Sequence, residues 1–391
     1  MADIALVVSS FLPRVGGVEE HVRHVASGLR DRGFDVVVWT VDQGDDVPSQ
    51  FDGIPIRVLP CPLPARNARS LVSFAWRAPI AAARWLAALR RDRPKLLHVH
   101  CFGPNGVWAR AMSRLARRPI IVTSHGETFG DADDSFGRSA LLRTQLRAAM
   151  RGASAVTACS EFTVRDLESR FGLEPGRAAV IANGVDIAEH ADPLPPGIPS
   201  RYVLAVGRVV STKGFDLLLR AFAIADLPDD VHLVIGGDGP ERPDLESLAA
   251  ELDVRDRLVL PGRLRRGEVV SVTAGALALA VPSRVESFGI VILEGWRAGV
   301  PVIATTHGGP PDLIRDGVDG WLADPLDTDS LAAALTRAVR DRATAESIAA
   351  AGEERVKDFT WQRIAAQYEA VYERAAFVTR GSPEVGAGGA P

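Results

Sequence analysis

Short apolar runs alternate with amphipathic stretches along most of the chain, which is typical of a parallel α/β sheet. An apolar strand, a glycine-containing loop, a helix and a second apolar strand follow one another in both halves of the sequence. The two occurrences cover residues 4–8, 18–31 and 35–40, and residues 202–206, 215–225 and 231–235. This order predicts two doubly wound α/β domains, whose ligands bind where the parallel strands end.

The domain boundaries can be predicted from local composition. With 391 residues the chain is long enough for two domains. Residues 191–200 contain four prolines and are predicted to be a linker between domains at 1–190 and 201–360. Residues 361–378 have helical spacing and are expected to form a last helix, which by family resemblance (below) would pack back on the first domain, whereas 379–391 lack core-forming residues and are expected to be disordered.

Cysteine content and hydropathy indicate a protein of the cytoplasm. Cys61, Cys101 and Cys159 are odd in number and widely spaced, so we expect buried thiols and neither a disulfide framework nor a metal site. The N-terminus has no basic segment typical of a signal peptide. No apolar run approaches the ~20 residues that cross a bilayer.

Positive charge is concentrated in one part of the first half. Residues 62–120 hold twelve basic residues and one acidic residue, although the whole chain has a net charge of −4. Arg77, Arg84 and Arg91 recur at seven-residue intervals in a predicted helix that also contains Phe74 and Trp76. Such a helix is a candidate for peripheral contact with an anionic membrane, and the alternative is a solvated arginine face over an ordinary core helix. Nucleic acid is not expected as a partner, because no binding motif accompanies this charge.

The segment E-S-F-G-I-V-I-L-E, from Glu286 to Glu294, is the most informative chemically. It follows a short apolar strand, and its apolar positions predict a helix that starts near Ser287 with Gly289 in the first turn. Free amides at a helix N-terminus bind phosphate, and a nearby carboxylate is suited to neutral hydroxyl donors. The segment therefore suits a nucleotide-sugar, although an amphipathic helix with two solvated glutamates would give the same pattern.

A second loop contributes cations of two kinds. Arg208 and Lys213 lie five residues apart in the glycine-bounded turn between a predicted strand and helix. The chain has 42 Arg and only three Lys, so a lysine at this turn indicates a need for a compact ammonium group. We predict that both side chains bind phosphate oxygens.

G-R-x4-K-G followed by E-x7-E resembles the retaining, nucleotide-sugar-dependent glycosyltransferases of family four, or group 1, which have the GT-B fold. Further matching motifs are Gly16-Gly17-Val18-Glu19, His125-Gly126, Asn183-Gly184-Val185-Asp186, Gly237-Asp238-Gly239-Pro240 and Gly308-Gly309-Pro310. The chain departs from the family pattern at Asp312, where glutamate is usual, and at Gly295-Trp296, where small residues are commoner.

The resemblance implies two Rossmann-like domains that face each other across a cleft, with the donor held mainly by the second. It implies that Arg208, Lys213 and the amides of Phe288, Gly289 and Ile290 bind the diphosphate. In the same way Glu294 would bind the ribose and Glu286 the transferred sugar. Gly17 would let the N-terminal loop approach the donor, and His125 would orient the sugar. The catalytic residues implied are His125, Glu286, Arg208 and Lys213, and the donor would be a UDP-sugar or a GDP-sugar.

The acceptor side is less determined by sequence. His98 and His100 alternate on a predicted strand and share one face near its end, so both are candidates for lining the acceptor cleft. Two D-x-D sequences, Asp131–Asp133 and Asp327–Asp329, resemble a metal motif, but neither directly follows an apolar strand. No metal and no other cofactor are expected.

Two other classes of function fit the same pattern. One is a nucleotide-sugar epimerase of similar fold, and the other is a sugar-nucleotide-binding protein without catalysis. A phosphorylase would need a lysine for pyridoxal phosphate, and neither Lys95 nor Lys357 has a suitable setting. The sequence does not determine the base, the transferred sugar, the acceptor (a sugar, a lipid-linked molecule or a small molecule) or the oligomeric state.

Overall fold

A computed structural model describes residues 2–14, 16–44, 46–64, 68–129 and 135–379. The strands of these residues are β1 (Ile4–Val8), β2 (Val36–Val41), β3 (Gln50–Phe51), β4 (Ile54–Leu59), β5 (Leu96–His100), β6 (Ile120–Ser124), β7 (Ala155–Ala158), β8 (Ala178–Val180), β9 (Tyr202–Val206), β10 (His232–Gly236), β11 (Leu258–Gly262), β12 (Ala278–Val281), β13 (Val302–Thr305) and β14 (Trp321–Ala323). The helices are α1 (Gly17–Asp31), α2 (Ala68–Asp92), α3 (Pro104–Ala116), α4 (Ser135–Arg138), α5 (Ala140–Gly152), α6 (Glu161–Phe171), α7 (Phe215–Ile224), α8 (Arg242–Glu251), α9 (Arg266–Ala274), α10 (Ile290–Arg297), α11 (Pro310–Leu313), α12 (Thr328–Arg340), α13 (Arg342–Arg355) and α14 (Trp361–Thr379).

The strands form two separate sheets. The first has the order β3-β4-β2-β1-β5-β6-β7-β8 and is parallel except for the short β3–β4 pair. The second has the order β11-β10-β9-β12-β13-β14 and is parallel throughout. In each sheet the chain starts at the middle, builds one edge and then returns to build the other. This topology confirms the prediction of two Rossmann-like α/β domains.

Each sheet is covered by helices on both faces, so its central strands are buried and mostly apolar. Every residue of β1, β5, β6, β12 and β13 is buried. Strands buried on both sides lack the alternation of half-exposed strands, which is why they appear in the sequence as nearly continuous apolar runs. Hydrophobic clusters lie on the two faces of both sheets.

The last helix packs on the first sheet and not on the second. Ile364, Tyr368 and Tyr372 of α14 belong to the same buried cluster as Val22 and Val25 of α1. A Cβ at Gly28 would lie 2.8 Å from the Cβ of Ala365, so the glycine lets the two helices approach closely. The chain therefore crosses between the domains twice, and α14 fastens its end to the first domain.

Several predicted boundaries differ from the structure. Helix α10 begins at Ile290, with Gly289 as its N-cap in the left-handed region (φ 87°), and not near Ser287. Thr379, assigned by sequence to the tail, is the last residue of α14. Residues 380–391, like Asp131–Asp133, lie outside the described residues, so their predicted states stay predictions. Asp327, in the second D-x-D sequence, caps α12 by accepting the amides of Asp329 and Ser330.

In the part of the chain that the structure describes, no helix combines the length and apolar character needed to cross a bilayer.

Candidate active site

Four loops meet in the cleft between the two sheets, because in each sheet the order in which strands are added reverses at the middle. In the first sheet the neighbours β1 and β5 end beside the Gly17 loop and His100. In the second sheet β9 and β12 end beside the Arg208–Lys213 loop and Glu286. A crevice opens where chains leave neighbouring strands in opposite directions, and ligands of open α/β sheets bind there. The topology therefore places most of the predicted site residues along one cleft.

Lys213 and Glu286 form an ion pair inside this cleft. The ammonium group of Lys213 donates to Oε2 of Glu286 at 2.7 Å, and Oγ of Ser283 donates to the same oxygen at 2.9 Å. Burial raises the pKa of Glu286, but the Lys213 charge and the hydrogen bonds offset this and hold the pKa below its usual value. Both side-chain hydrogen bonds use Oε2, and no side chain that the structure describes donates to Oε1.

The loop that presents Lys213 is held against the strand that presents Glu286. Gly214 has a φ of 66°, and a Cβ there would lie 2.1 Å from the carbonyl oxygen of Pro282. Only glycine permits both the left-handed backbone and this close approach. Arg208, in the same loop, has an exposed side chain, and no hydrogen bond or ion pair joins that side chain to any residue that the structure describes. The loop thus offers one paired cation and one cation that is free to bind a ligand.

The N-terminus of α10 lies opposite the N-terminal glycine loop. A Cβ at Gly17 would be 3.3 Å from Cδ1 of Ile290, so α1 and α10 meet end to end across the cleft. The first N–H groups of α10 have no acceptor within the helix, as in any α-helix. The helix is eight residues long, and its positive end adds to the field of Arg208 and Lys213.

Glu294 is not a solvated glutamate. Its side chain is buried and pairs with Arg266, whose guanidinium also binds both carboxylate oxygens of Glu189 at 2.5 and 2.8 Å. Arg297 pairs with Glu189 as well. The second carboxylate of E-x7-E is therefore fixed in place by an arginine from α9, and its second oxygen remains as an acceptor.

The loops that carry His125 and Glu286 are in contact through the residue that follows each of them, Gly126 and Ser287. Gly126 has a φ of 92°, and a Cβ there would lie 2.2 Å from Oγ of Ser287. Oγ of Ser160, also in the first domain, donates to the carbonyl oxygen of Ser287 at 2.7 Å. The close neighbour of Gly126 is therefore the Ser287 loop of the other domain.

His125 itself is held by two contacts from the first domain. Its Nε2 lies 3.1 Å from Nδ1 of His100, and its backbone N–H donates to Oε2 of Glu127 at 2.8 Å. Burial, followed by the neighbouring His21, holds the pKa of His125 well below its usual range. The imidazole is therefore neutral at neutral pH, which suits hydrogen bonding better than charge stabilisation.

The prediction that His98 lines the acceptor cleft is wrong. His98 is fully buried, with Nδ1 bonded to the hydroxyl of Tyr372 at 2.7 Å and Nε2 to Oγ1 of Thr123 at 2.6 Å. The shared face of the strand is covered by α14, which short-range sequence patterns do not reveal. His100 is buried on the same face and meets His125, so it lies behind the cleft and not along its wall.

Three imidazoles come close enough together to be considered as metal ligands. In the described ranges, His21, His100 and His125 are the group whose ligand atoms lie within 4.8 Å of one another. Both ring nitrogens of His21 are already bonded, one to Asn183 at 2.8 Å and one to the hydroxyl of Tyr368 at 3.0 Å. A metal would have to displace one of these partners, so the arrangement favours a hydrogen-bonded cluster.

Two contributors to the site were missed by sequence reasoning. Arg266 orients Glu294, but its position in an arginine-rich segment gave no signal. Asp312 was noted only as a departure from the family pattern. Its carboxylate accepts the backbone N–H of Phe162 at 2.7 Å and pairs with Arg165 at 3.3 Å, so it joins α11 of the second domain to α6 of the first.

Comparison with known proteins gives two family matches that together span most of the chain. The family described as "Glycosyltransferase Family 4" matches residues 15–189, and "Glycosyl transferases group 1" matches residues 186–355. The D-inositol 3-phosphate glycosyltransferase of Mycolicibacterium vanbaalenii is 30% identical, over 92% of this chain and 85% of that protein. The sulfoquinovosyl transferase SQD2 of Arabidopsis thaliana is 26% identical, over 89% of this chain and 68% of that protein.

Solved structures show the same fold. Sucrose-phosphate synthase from Thermosynechococcus elongatus superposes with a TM-score of 0.79 at 23% identity, over 96% of this chain and 99% of that one. The Anabaena protein HepE, solved in complex with UDP and glucose, superposes with a TM-score of 0.74 at 23% identity, over 95% and 100% of the two chains.

Proposed function

Because the chain belongs to the group 1 glycosyltransferases, we propose that it moves a hexose-type sugar from a UDP-sugar or GDP-sugar to an acceptor hydroxyl, with retention of anomeric configuration and without a metal ion. The observation that carries the proposal is the meeting of three features at one cleft. These are the exposed cation of Arg208, the Lys213–Glu286 pair and the N-terminus of α10. Together they fit a diphosphate flanked by hydroxyl groups.

Departure of the diphosphate is the step that this site can accelerate. Negative charge builds on the leaving phosphate as the bond to the sugar breaks. Lys213, held by Glu286, and the α10 amides are fixed before reaction, so they stabilise this charge without having to reorganise, and the exposed Arg208 adds a second cation once the donor is bound. Lys213 has three N–H donors and uses one on Glu286, which leaves donors for phosphate.

Hydroxyl groups on either side of the diphosphate have separate acceptors. We assign the free oxygen of Glu294 to the ribose, since Arg266 holds that carboxylate rigidly. We assign Oε1 of Glu286 to the transferred sugar, because Lys213 and Ser283 both bind Oε2. His125, neutral and facing the Ser287 loop through Gly126, orients the sugar from the acceptor side.

Retention is proposed to occur by transfer on one face of the sugar, with a leaving-group phosphate oxygen as the base. A double-displacement route would need a free carboxylate under the anomeric carbon. Glu286 is paired with Lys213, and Glu127 is turned inward to the amides of Phe102 and His125. Neither carboxylate suits that role, which supports the one-face route implied by the family.

The acceptor is proposed to be lipid-linked, at the cytoplasmic face of a membrane, because the N-terminal half of α2 projects apolar side chains. Trp76 is 78% exposed, and Leu71, Val72 and Ile80 are 50%, 59% and 60% exposed. Arg77 and Arg84 are exposed on the same helix, as is Arg91 near its end. An exposed apolar stripe among cations suits an anionic bilayer, with the apolar side chains below the headgroups.

The donor can be identified by thermal-shift measurements with UDP-, GDP- and ADP-sugars and the matching free nucleotides, all in EDTA. A ligand at one hundred times its dissociation constant stabilises the folded state by about 2.7 kcal/mol, so the correct base should raise the melting temperature clearly. Glu294→Gln keeps the volume of the side chain but weakens its acceptance of ribose hydroxyls, and it should reduce the shift for the same nucleotide.

The reaction itself is tested by incubating that donor with acceptors and following the anomeric signals by NMR. Transfer with an unchanged anomeric configuration supports the proposal. Interconversion of the donor without any acceptor would indicate an epimerase, and binding without turnover would indicate a non-catalytic protein. An inverted product would contradict retention.

A further inference from the structure

The imidazole of His125 is bonded to a second, completely buried imidazole that has no other polar partner. His100 is 0% exposed, and its Nδ1 lies 3.1 Å from Nε2 of His125. Its other nitrogen, Nε2, is buried and has no hydrogen-bond partner in the part of the chain that the structure describes. His100 therefore makes one hydrogen bond through its ring, and that bond is to His125.

The surroundings of His100 hold it in this orientation. Its ring lies 4.0 Å from that of His98 and 5.4 Å from those of His21 and His125, measured between centroids, and Tyr368 closes the far side at 6.0 Å. Burial, followed by the neighbouring imidazoles, keeps the pKa of His100 well below its usual range. A neutral imidazole carries one proton, so the hydrogen bond between His100 and His125 has a definite direction.

The direction of this hydrogen bond follows from comparing the unpaired group that each arrangement leaves on Nε2 of His100. If His125 donated, His100 would carry its proton on Nε2, and a buried N–H would lack an acceptor. If His100 donates from Nδ1, the unpaired group is only a lone pair on Nε2. Orphaned buried N–H groups are rarer in native proteins than under-used acceptors, so the second arrangement is favoured.

We infer that His100 is a positioning residue that fixes the tautomer of His125: its Nδ1–H donates to Nε2 of His125, so that His125 carries its own proton on Nδ1. The Nδ1 of His125 has no hydrogen bond to any described residue and is not among the buried unpaired atoms, so it reaches accessible space. His125 then presents an N–H donor to the sugar and cannot act there as a general base.

This inference rests on the proposed function only for the role of His125 in transfer, and the tautomer can be measured without any substrate. Protein labelled with ¹⁵N at histidine and observed by long-range ¹H–¹⁵N NMR distinguishes a protonated ring nitrogen from a bare one. His125 is assigned from the spectrum of His125→Gln. In the wild type, Nδ1 of His125 should appear protonated and Nε2 bare.

Variants of His100 provide the decisive comparison. His100→Leu removes the donor, so the His125 proton should redistribute between its two nitrogens, and kcat should fall about tenfold or more with a much smaller change in KM. His100→Asn places an amide N–H near the former Nδ1 and should restore both the tautomer and most of kcat. Val99→Ala, a buried neighbour on the opposite face of β5, is the control for general loss of packing and should leave the tautomer unchanged.

A protonated Nε2 on His125 in the wild type, or a tautomer that is the same in His100→Leu, would overturn the inference. The two proposals fail in different ways. A tautomer that shifts while kcat stays constant would leave the positioning by His100 intact and remove the role of His125 in transfer. A loss of kcat without any change of tautomer would remove the positioning by His100 and leave the role of His125 in transfer intact.

Discussion

Arg208 and Lys213 occupy one loop but have different surroundings. Lys213 is paired with the buried carboxylate of Glu286, whereas Arg208 is exposed and has no ion pair to a described residue. A compact ammonium can serve Glu286 and a phosphate oxygen together, while an exposed guanidinium is available for bidentate binding once a donor arrives. The same loop therefore stabilises the protein through one cation and can bind the donor through both.

Alanine substitutions should separate these two roles. Arg208→Ala and Lys213→Ala should each lower kcat/KM by about 10²-fold, the scale of losing one hydrogen-bond donor to the charge that develops on the leaving phosphate. Only Lys213→Ala should also lower the free energy of unfolding, by about 1–3 kcal/mol, because it leaves Glu286 unpaired. Urea unfolding measures this loss of stability. The double variant Lys213→Ala/Glu286→Gln should recover the free energy of unfolding but not the activity. Equal stability of the two single variants would show that the ion pair contributes little.

Three buried histidines and the half-buried His125 make stability dependent on pH. Burial lowers the pKa of His21 and of His98 to about 3, and it lowers those of His100 and His125 well below their usual range. Since the unfolded chain then binds more protons, stability present above pH 6.5 is lost as pH falls towards the folded-state values. Glu127, whose pKa burial raises, acts in the opposite direction.

From pH 7 to pH 5.5 the free energy of unfolding should fall by about 1 kcal/mol for each of these histidines, or about 4 kcal/mol together. Urea unfolding at the two pH values measures it. Most carboxylates remain ionised in this window, so the histidines dominate the change. Equal stability at pH 7 and pH 5.5 would mean that these imidazoles can take up protons in the folded state.

At the scale of secondary-structure elements, the sequence predicted which helices exist more accurately than the residues at which they begin and end. The apolar spacing after Ser287 indicated α10, but only the left-handed backbone of Gly289 shows that the first turn starts at Ile290. A difference of a few residues matters here, because it decides which amides face the diphosphate. Apolar spacing does not specify cap geometry, so this part of the site could not be predicted.

Helix α2 should act as the membrane-contacting element. Trp76→Ser/Ile80→Ser should strongly reduce co-sedimentation with anionic vesicles, because it removes the apolar contact with the acyl region. Replacing Arg77, Arg84 and Arg91 by Gln should weaken binding by about 3 kcal/mol at most, at about 1 kcal/mol per cation, and mainly at low salt. Leu115→Ser on α3, where the leucine is 63% exposed, is the matched control. Equal co-sedimentation of the wild type and all variants would show that α2 does not contact the membrane, and it would favour a soluble acceptor.

Asp312 joins two elements of different domains and should favour the closed cleft. Asp312→Ala removes an acceptor from the N-terminus of α6 and the partner of Arg165. Such a contact contributes about 1 kcal/mol, so the ratio of closed to open molecules should fall about fivefold. Small-angle X-ray scattering should then give a larger radius of gyration than for the wild type. Asp230→Ala, which removes an exposed ion pair with Arg201, should not change the scattering.

At the scale of the whole molecule, the fold was predictable because its pattern is local and repeated. Runs of buried strand and amphipathic helix occur in both halves, and the loops after β1, β9 and β12 carry the motif residues. What could not be predicted joins distant parts of the chain. His98 is hydrogen-bonded to Tyr372, which is 274 residues away in sequence, and Lys213 is hydrogen-bonded to Glu286, which is 73 residues away in sequence. Such contacts depend on how helices cross the sheets, which residue spacing does not encode.

The position of α14 is the clearest example. Its sequence predicts a helix, and its packing on α1 places Tyr368 beside His21 and closes the face on which His98 and His100 lie. The histidines were therefore assigned to an open cleft when they belong to a covered network. The same covering creates the dry environment in which His100 can direct the proton of His125.

The central claim is that a nucleoside diphosphate binds between the Arg208–Lys213 loop and the N-terminus of α10 without a metal ion. Isothermal titration calorimetry of the nucleoside diphosphate in EDTA, with wild type, Arg208→Ala and Arg220→Ala, tests it most directly. Arg220 is an exposed cation on α7 and serves as the matched control. We expect one nucleotide per chain, binding weakened about tenfold or more by Arg208→Ala, and no change with Arg220→Ala. Equal affinity in all three proteins, or binding that requires added Mn²⁺ or Mg²⁺, would contradict the account.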